Sequence, residues 1–223
     1  MGRRPKVRVV TGLVPIPLHP RSGKEYAELG LKLKSALGER PMAAFYQPLE
    51  ECWLHHFLAK LPFEPTWSKG DNPAKNSWQY HVVQHQKFQW LEQAANDDQE
   101  SETFVWLDYG IMRLPGVDGG TINDFLDKIK KNDFAIPGCW PRTQFDDQTP
   151  CWRFCGSMMV VPRADIRQLN SVVKAVTRLY IRAMQNVTWE VNDLAHAEET
   201  GKLTNLRWYA ADHNAKMFTG YDP

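Results

Sequence analysis

The sequence predicts an α/β protein whose mainly parallel sheet is flanked by helices. Short apolar runs alternate with amphipathic helical segments in the N-terminal part of the chain, and this β-α-β-α order favours parallel strands joined by right-handed crossovers. The run Phe104-Val105-Trp106-Leu107 is continuously apolar, which is typical of a strand buried on both faces. No repeat, low-complexity tract or interdomain linker divides the 223 residues, so a single domain is expected.

The first elements are predicted from short sequence signals. Residues 7–14, which read VRVVTGLV, predict the first strand. A helix is expected to begin at Ser22, because Ser22 and Glu25 have the spacing of a capping box and an apolar face follows them. Residues 42–46 then predict a second strand, and residues 49–60 predict a second helix that two prolines end.

A longer helix is predicted over residues 77–95, and it carries an unusual lysine. Lys87 falls in the middle of the apolar face, where an ammonium group is costly to bury unless it reaches a partner. Two interpretations stay open: the side chain extends to the rim of the face, or it makes a buried contact with Asp108 or with a ligand phosphate. The other members of the face are Tyr80, Val83, Trp90, Leu91 and Ala94.

The second half of the chain predicts two further helices and two further strands. Thr121 is expected to cap a helix over residues 121–131, and Asp165 is expected to cap the last long helix. Between these helices, residues 134–140 and 153–162 predict strands. The chain therefore continues to alternate strands and helices.

Asp108 stands where the central strand should end, and the turn residues Tyr109 and Gly110 follow it. Ligands of open α/β sheets bind beyond the carboxyl ends of the strands. A carboxylate there can hold a hard cation, which can in turn hold a diphosphate. The alternative is that Asp108 only caps the turn. The pair Asp146-Asp147 is a weaker candidate for a metal site, because no strand delivers it.

Two more polar motifs lie towards the end of the chain: TWEVNDLA at 188–195 and WYAADHN at 208–214. Together with VTGLV, WLDYG, RFCGSMMV and Lys87 in its helix, they resemble the HtrL/YibB-like predicted glycosyltransferases. That family is similar to nucleotide-sugar enzymes of the GT-A fold. The resemblance covers most of the chain, and it implies one GT-A-like (Rossmann-like) domain over residues 1–223 with a mixed, mainly parallel sheet.

The resemblance also implies a metal-assisted site. In GT-A enzymes a DxD motif at the end of a central strand binds Mn²⁺ or Mg²⁺ with the donor diphosphate, and a histidine near the C-terminus often completes the metal shell. Carried over, Asp108 is the remaining DxD carboxylate, and His213 with its neighbour Asp212 supplies late metal ligands. The second DxD position is Gly110, so fewer protein ligands would hold the ion.

Sugar transfer requires further groups. Glu190 is the expected base for the acceptor hydroxyl, although a carboxylate at a helix start is the alternative reading. Asn192 is expected to bind a sugar hydroxyl, and Lys87 would assist the charge that develops on the leaving diphosphate. The residues expected to bind the donor are Thr11, Gly12, Lys87, Asp108, Tyr109, Gly110 and Trp189.

The expected function is transfer of a sugar from a nucleotide-diphosphate donor to a glycan or other hydroxyl acceptor. The alternative is a non-catalytic carbohydrate- or nucleotide-binding module, which the missing second aspartate favours. A nucleotidyltransferase is disfavoured, because the loop after the first strand is rich in proline instead of glycine or basic residues.

Composition excludes several other classes of protein. The net charge of +1 gives no indication of a dedicated nucleic-acid or membrane binder, and no apolar run approaches the ~20 residues of a membrane helix. The N-terminus lacks the core of a signal peptide, so a cytoplasmic location is expected. Cys139, Cys151 and Cys155 lack the paired spacing of a zinc site, so reduced buried thiols are expected.

Overall fold

The structure, a computed structural model, describes residues 5–16, 23–142 and 149–223. The predicted Ser22 cap and the Asp146-Asp147 pair lie outside these ranges. The strands are β1 (Val7–Leu13), β2 (Met42–Tyr46), β3 (Thr66–Trp67), β4 (Thr103–Leu107), β5 (Ala135–Gly138), β6 (Met158–Pro162), β7 (Asn186–Val187) and β8 (Arg207–Ala210). The α-helices are α1 (Gly23–Leu37), α2 (Trp53–Leu58), α3 (Trp78–Asp97), α4 (Gly119–Lys128), α5 (Arg163–Met184), α6 (Glu190–Glu199) and α7 (Lys216–Thr219).

Six strands form one sheet in the order β2-β1-β4-β6-β5-β8. β1 is parallel to both β2 and β4, and β5 is parallel to β8. β6 runs antiparallel to its neighbours β4 and β5, so the sheet is mixed but mainly parallel, as predicted. The short strands β3 and β7 form a second, two-stranded parallel sheet that the sequence did not predict.

The sheet carries an apolar core on each face. On β4, Phe104 and Trp106 point into the core beneath α2, α3, α5 and α6, whereas Val105 and Leu107 point into the core beneath α1, α4 and α7. This alternation is the period of two expected of a strand, and all five residues of β4 are buried. The central strand is therefore covered on both sides, and its carboxyl end is where a polar residue can reach solvent.

Several predicted boundaries and caps are wrong. The helix predicted over 49–60 is a single 3₁₀ turn followed by the short helix α2. Asp118, and not Thr121, caps α4, because its carboxylate accepts a hydrogen bond from the Thr121 N–H (2.7 Å). Helix α5 begins at Arg163 without a side-chain cap, and Asp165 lies in its first turn, where a carboxylate interacts favourably with the helix dipole.

Across the described part of the chain, no helix is both long enough and apolar enough to cross a membrane.

Candidate functional site

A cleft opens where β1 and β4 end, and its walls come from distant parts of the chain. It encloses about 410 Å³, which is typical of small-molecule sites. Trp90 of α3 and Trp106 of β4 stack in its wall, with ring centroids 5.8 Å apart. Gly12 of β1 lies against the Trp90 ring so closely that an added Cβ would overlap it. Glycine is therefore required here for the strand to pack against the indole.

Asp108 follows β4 directly, and its side chain is 34% exposed. Its backbone N–H donates to the carbonyl of Ser157, and its own carbonyl accepts from the N–H of Ile111, both at 2.9 Å. The indole N–H of Trp106 donates to Asp108 Oδ1 (2.8 Å). The backbone of Asp108 therefore fixes the turn, while its carboxylate lies in the cleft lining and is held by Trp106. The metal-binding interpretation of Asp108 stays a prediction.

Lys87 is almost completely buried, with 1% of its surface exposed, although it lines the cleft wall. Its ammonium donates to Glu190 Oε1 (2.9 Å), to the carbonyl of Gly156 (2.8 Å) and to Gln84 Oε1 (3.0 Å). Asp108 Oδ1 lies 3.9 Å away. An ammonium has three N–H donors, so all of them are satisfied. The predicted contact with Asp108 is confirmed, but the nearest carboxylate is that of Glu190.

Glu190 begins helix α6 behind Lys87 and does not line the cleft. Its side chain is 5% exposed. Burial alone would raise the pKa of Glu190, but the charge and hydrogen bond of Lys87 hold that pKa below its usual value. A buried carboxylate with a lowered pKa is a weak base, and it is well suited to fix the ammonium of Lys87.

Two basic residues that the sequence analysis did not single out also line the cleft: Lys75 and Arg113. Arg113 ends a 3₁₀ turn immediately after the WLDYG motif. A Cβ added at Gly110 would lie 2.7 Å from Arg113 Nη2. A guanidinium therefore stands beside the position where a second DxD carboxylate would be. Lys75 lies on the same cleft, with its Nζ 5.6 Å from the centroid of the Trp152 ring.

The charges of the cleft favour an anionic ligand. Among the described residues, Asp108 is the single carboxylate in the lining, which also contains Lys75, Lys87 and Arg113. The charge of Lys87 is paired with that of Glu190, so Lys75 and Arg113 give the lining its excess of positive charge. Basic side chains of this kind bind phosphate oxygens through charge-assisted hydrogen bonds. A cleft with an excess of positive charge would attract a diphosphate even without a bound metal ion.

The lining also fits a divalent cation, provided that the ligand brings most of the metal's oxygen ligands. Mg²⁺ sites commonly use one or two carboxylates together with substrate phosphates. Asp108 supplies one carboxylate, and His213 lines the same cleft. Asp212 is 72% exposed, and one of its carboxylate oxygens accepts the backbone N–H of His213 (2.6 Å). It does not line the cleft.

His213 lies between the cleft and a pair of thiols. Its Nδ1 is 3.8 Å from Cys139 Sγ and 3.9 Å from Cys155 Sγ, and its ring packs edge-on against Trp152 with centroids 4.8 Å apart. Burial, followed by the charge of Lys75, lowers the pKa of His213. Its imidazole is therefore neutral at pH 7, which is the form that binds metals.

Besides Glu190 and Asp212, three predicted site residues lie away from the cleft lining: Thr11, Trp189 and Asn192. Asn192 is buried and donates to the Thr149 carbonyl and the Thr188 hydroxyl, while its oxygen accepts from the Cys151 N–H. Its polar atoms therefore hold the chain together and do not face a sugar. Thr11 and Trp189 are also buried.

The structure thus brings together Gly12, Lys87, Asp108, Tyr109, Gly110 and His213. The sequence carried only weak signals for the other lining residues that matter. Arg113 lies five residues after Asp108, in the turn that extends the motif, so its position in the same turn was a usable signal. Lys75 ends a short 3₁₀ helix and Trp152 lies in a turn, and only the folded chain brings them to the cleft.

No protein-family model matches the sequence, and a search of curated proteins found no relative. The structure is similar to that of a glycosyltransferase involved in the glycosylation of the major capsid of PBCV-1. That match has a TM-score of 0.53 and 13% identity, and it covers 93% of this chain and 82% of the other. A 4-diphosphocytidyl-2C-methyl-D-erythritol synthase from Anaerococcus prevotii DSM 20548 matches with a TM-score of 0.43 and 11% identity, over 92% of this chain and 89% of the other. The first likeness confirms the predicted GT-A-like α/β fold.

Proposed function

We propose that the chain is a glycosyltransferase that moves a sugar from a nucleoside-diphosphate sugar to a glycan or other hydroxyl acceptor. The observation that carries the proposal is the charge arrangement of the cleft beyond β1 and β4, whose lining contains Asp108 together with Lys75, Lys87 and Arg113. Cleavage of the donor leaves a nucleoside diphosphate, whose developing charge needs cationic groups in fixed positions. The fold and the resemblance to the HtrL/YibB-like family support the same function.

Arg113 and Lys75 are the groups proposed to bind the diphosphate directly. Arg113 is exposed beside Gly110, and its planar fork can bind two phosphate oxygens at once. Lys87 lies in the cleft wall but would not bind the phosphates directly, because its three donors already have protein acceptors. Its role is to raise the potential of the cleft and to orient Asp108 3.9 Å away.

A divalent cation, Mn²⁺ or Mg²⁺, would be held by Asp108 and His213. When bound, such an ion would neutralise charge on the diphosphate as it leaves. Asp212 is proposed to support His213 through its 3.7 Å contact with the imidazole, while phosphate oxygens would fill the remaining positions. Arg113 lies beside the position of the missing second carboxylate, so the basic side chains would neutralise part of the diphosphate charge together with the cation.

Aromatic rings in the cleft wall are suited to the sugar or the base. Trp152 and Tyr109 both line the cleft, and flat aromatic faces pack well against rings of either kind. The phenol of Tyr109 is wedged against Gly30 of α1, where a Cβ would overlap it, so its ring is held in a fixed position. Trp189, buried against His81, is better placed to support α6 than to stack on a ligand.

The role of Glu190 as the base for the acceptor hydroxyl stays a prediction. Its burial and its lowered pKa favour a different contribution, which is to position Lys87. A positioning role predicts that Glu190→Gln weakens donor binding as well as turnover. A general base predicts the opposite pattern, with normal donor binding and a loss of about 10²–10⁴-fold in rate.

A non-catalytic nucleotide- or carbohydrate-binding module is the second candidate. The observation that favours it is the buried position of Glu190, together with Arg113 at the place of the second carboxylate. Such a module would bind the same ligands through the same basic side chains. It would release no product from any donor.

Turnover with a panel of nucleotide sugars tests the proposal. The purified chain is incubated with each donor, with and without Mn²⁺, and nucleoside diphosphate and released or transferred sugar are quantified. We expect at least one donor to yield both products, and Arg113→Ala to lower the rate. Arg167→Ala is the matched control, because Arg167 is exposed on α5 and does not line the cleft. Binding without product from every donor would favour the binding module.

A further inference from the structure

A second cluster of metal-binding atoms lies beside the cleft, at the other half of the sheet. It consists of Cys139, Cys155 and His213, whose ligand atoms all lie within 4.8 Å of one another. The two Sγ atoms are 3.7 Å apart. His213 Nδ1 lies 3.8 Å from Cys139 Sγ and 3.9 Å from Cys155 Sγ. The three atoms therefore form a nearly equilateral triangle.

The size of that triangle matches one face of a zinc tetrahedron. With Zn–S bonds of about 2.3 Å and Zn–N bonds of about 2.05 Å, the S–S edge of a tetrahedral site is about 3.8 Å and each S–N edge is about 3.6 Å. The observed S–S distance of 3.7 Å and S–N distances of 3.8 and 3.9 Å differ from these edges by a few tenths of an ångström. A small inward movement of the imidazole would close the difference.

The backbone holds the three ligands in place through bonds between separate segments. The N–H of Cys139 donates to the Trp152 carbonyl (2.8 Å), and the N–H of Cys155 donates to the Pro137 carbonyl (2.7 Å). The segment of His213 is tied to the same strand end, because the Ala211 N–H donates to the Gly138 carbonyl (2.9 Å). These bonds position the ligands without help from an ion, which lowers the entropic cost of assembling a site.

Gly138 allows this arrangement. A Cβ at Gly138 would overlap the carbonyl oxygen of Arg153, in the segment that leads to Cys155. Any larger residue would push the two cysteine-bearing segments apart. The close approach of the two thiols is therefore a consequence of a specific backbone contact, and the chain is built to bring them together.

We propose that Cys139, Cys155 and His213 bind one Zn²⁺ ion at the edge of the cleft. Both thiols would bind as thiolates, so the two S–H protons are released to solvent when the ion enters. The carboxylate of Asp212 lies beside two of the ligands, with Oδ1 3.6 Å from Cys139 Sγ and 3.7 Å from His213 Nδ1, but it is outside the three-residue cluster. Asp212 or a water molecule would supply the fourth ligand. The site would fix the His213 ring at the cleft wall.

The proposed zinc site is chemically distinct from the donor cation. Two thiolates and an imidazole select a soft or borderline ion, whereas Mn²⁺ and Mg²⁺ prefer oxygen ligands. Zinc would occupy His213 Nδ1, so the neutral ring would carry its proton on Nε2 and would not bind a second cation. In the zinc-loaded chain, the donor cation would be held by Asp108 and the phosphates. The zinc proposal does not depend on sugar transfer, so either can fail alone.

Metal content and cobalt spectroscopy test the site without an activity assay. The wild-type chain, purified under reducing conditions and loaded with zinc, should keep one Zn²⁺ per chain after gel filtration. Co²⁺ in place of zinc should give the near-ultraviolet thiolate-to-cobalt charge-transfer band. Cys139→Ser and Cys155→Ser should each weaken zinc binding at least tenfold and reduce the intensity of that band, because only one thiolate remains. Cys151→Ala is the matched control, because Cys151 is buried nearby but outside the cluster, and it should keep both.

Three results would overturn the proposal. The first is folded wild-type protein, judged by circular dichroism, that retains no zinc and shows no thiolate band with Co²⁺. The second is an equal loss of zinc in Cys151→Ala. The third is a Cys139–Cys155 disulfide that forms in air and persists when excess zinc is present, as detected by thiol alkylation and mass spectrometry. If the serine variants do not fold, the wild-type cobalt spectrum alone decides.

Discussion

Glu190→Gln tests the buried ion pair behind the cleft. The substitution keeps the shape and one hydrogen-bond acceptor, but it removes the negative charge 2.9 Å from Lys87 Nζ. Lys87, 1% exposed, would then keep only neutral acceptors and the more distant Asp108 at 3.9 Å. Breaking a buried pair by removing one partner typically costs about 3–5 kcal/mol. Because Asp108 stays, we expect a loss near the lower end, about 3 kcal/mol.

The assay is urea unfolding at pH 7, followed by circular dichroism and tryptophan fluorescence. For a chain of this size, about 3 kcal/mol corresponds to a fall of roughly 6–12 °C in the melting temperature. Glu100→Gln is the matched control: Glu100 pairs with Lys6 at 2.7 Å, but its side chain is 78% exposed. We expect that control to change stability by less than about 1 kcal/mol.

A double variant distinguishes loss of the pair from loss of packing. Lys87→Met combined with Glu190→Gln removes both charges, so it should cost less than the sum of the two single variants. We expect a coupling free energy of about 1–3 kcal/mol. A loss in Glu190→Gln no larger than in Glu100→Gln, or additive losses in the double variant, would refute the reasoning.

Three further predictions follow from individual contacts. Arg113→Ala and Lys75→Ala should each weaken nucleoside-diphosphate binding about 10–100-fold, because a hydrogen bond to a charged group contributes about 1.5–3 kcal/mol; calorimetric affinities equal to wild type would remove these residues from the site. Gly110→Ala should also weaken nucleoside-diphosphate binding, because the new Cβ would lie 2.7 Å from Arg113 Nη2 and displace the guanidinium. Stability should change little, because the backbone φ of −94° at this position suits alanine. Tighter or equal binding would contradict this. Burial, followed by the charge of His85, lowers the pKa of His81 to about 4. The unfolded chain therefore binds more protons than the folded chain between about pH 4 and 6.5, and His81 should make the free energy of unfolding fall by about 3 kcal/mol as the pH drops through that range. A His81→Gln variant whose stability has the same pH slope as wild type would contradict this.

The pH dependence of the Glu190 pair has a defined sign. The folded-state pKa of Glu190 lies below its ordinary value of 4.5. The stability contributed by its ionised form is therefore fully present above about pH 4.5, and it is lost as the pH falls through the lowered folded-state pKa. The stability difference between wild type and Glu190→Gln should shrink in that acid range, and a difference that grows there would be inconsistent with the pair.

Local sequence patterns predicted the central strand and its helices because those signals depend on neighbouring residues. The run at Phe104 is apolar at every position, and it forms a strand buried on both faces. Residues 77–95 carry a helical stripe, and α3 spans Trp78–Asp97. The fold class follows from the alternation of such elements, and this prediction is correct even though β6 runs antiparallel to β4.

The site was less predictable, because its contacts join residues that are far apart in sequence. A lysine in an apolar stripe indicates that its ammonium has a buried partner, but the pattern does not identify the partner residue. Asp108 was expected, yet Glu190, 103 residues from Lys87, is nearer and binds more directly. The thiol cluster was missed for the same reason: Cys139 and Cys155 are 16 residues apart, and His213 is 58 residues beyond Cys155. The backbone at Gly138, and not a short spacing, brings these atoms together.

A crystal structure of the chain with a nucleoside diphosphate and Mn²⁺ tests the central claim most directly, because the position of the diphosphate is then measured. We expect the phosphates to lie in the cleft beyond β1 and β4, with phosphate oxygens bonded to Arg113 and Lys75 and with Asp108 facing the same group. Phosphates bound elsewhere on the chain, or a nucleotide in the cleft whose phosphates point away from Arg113 and Asp108, would contradict it.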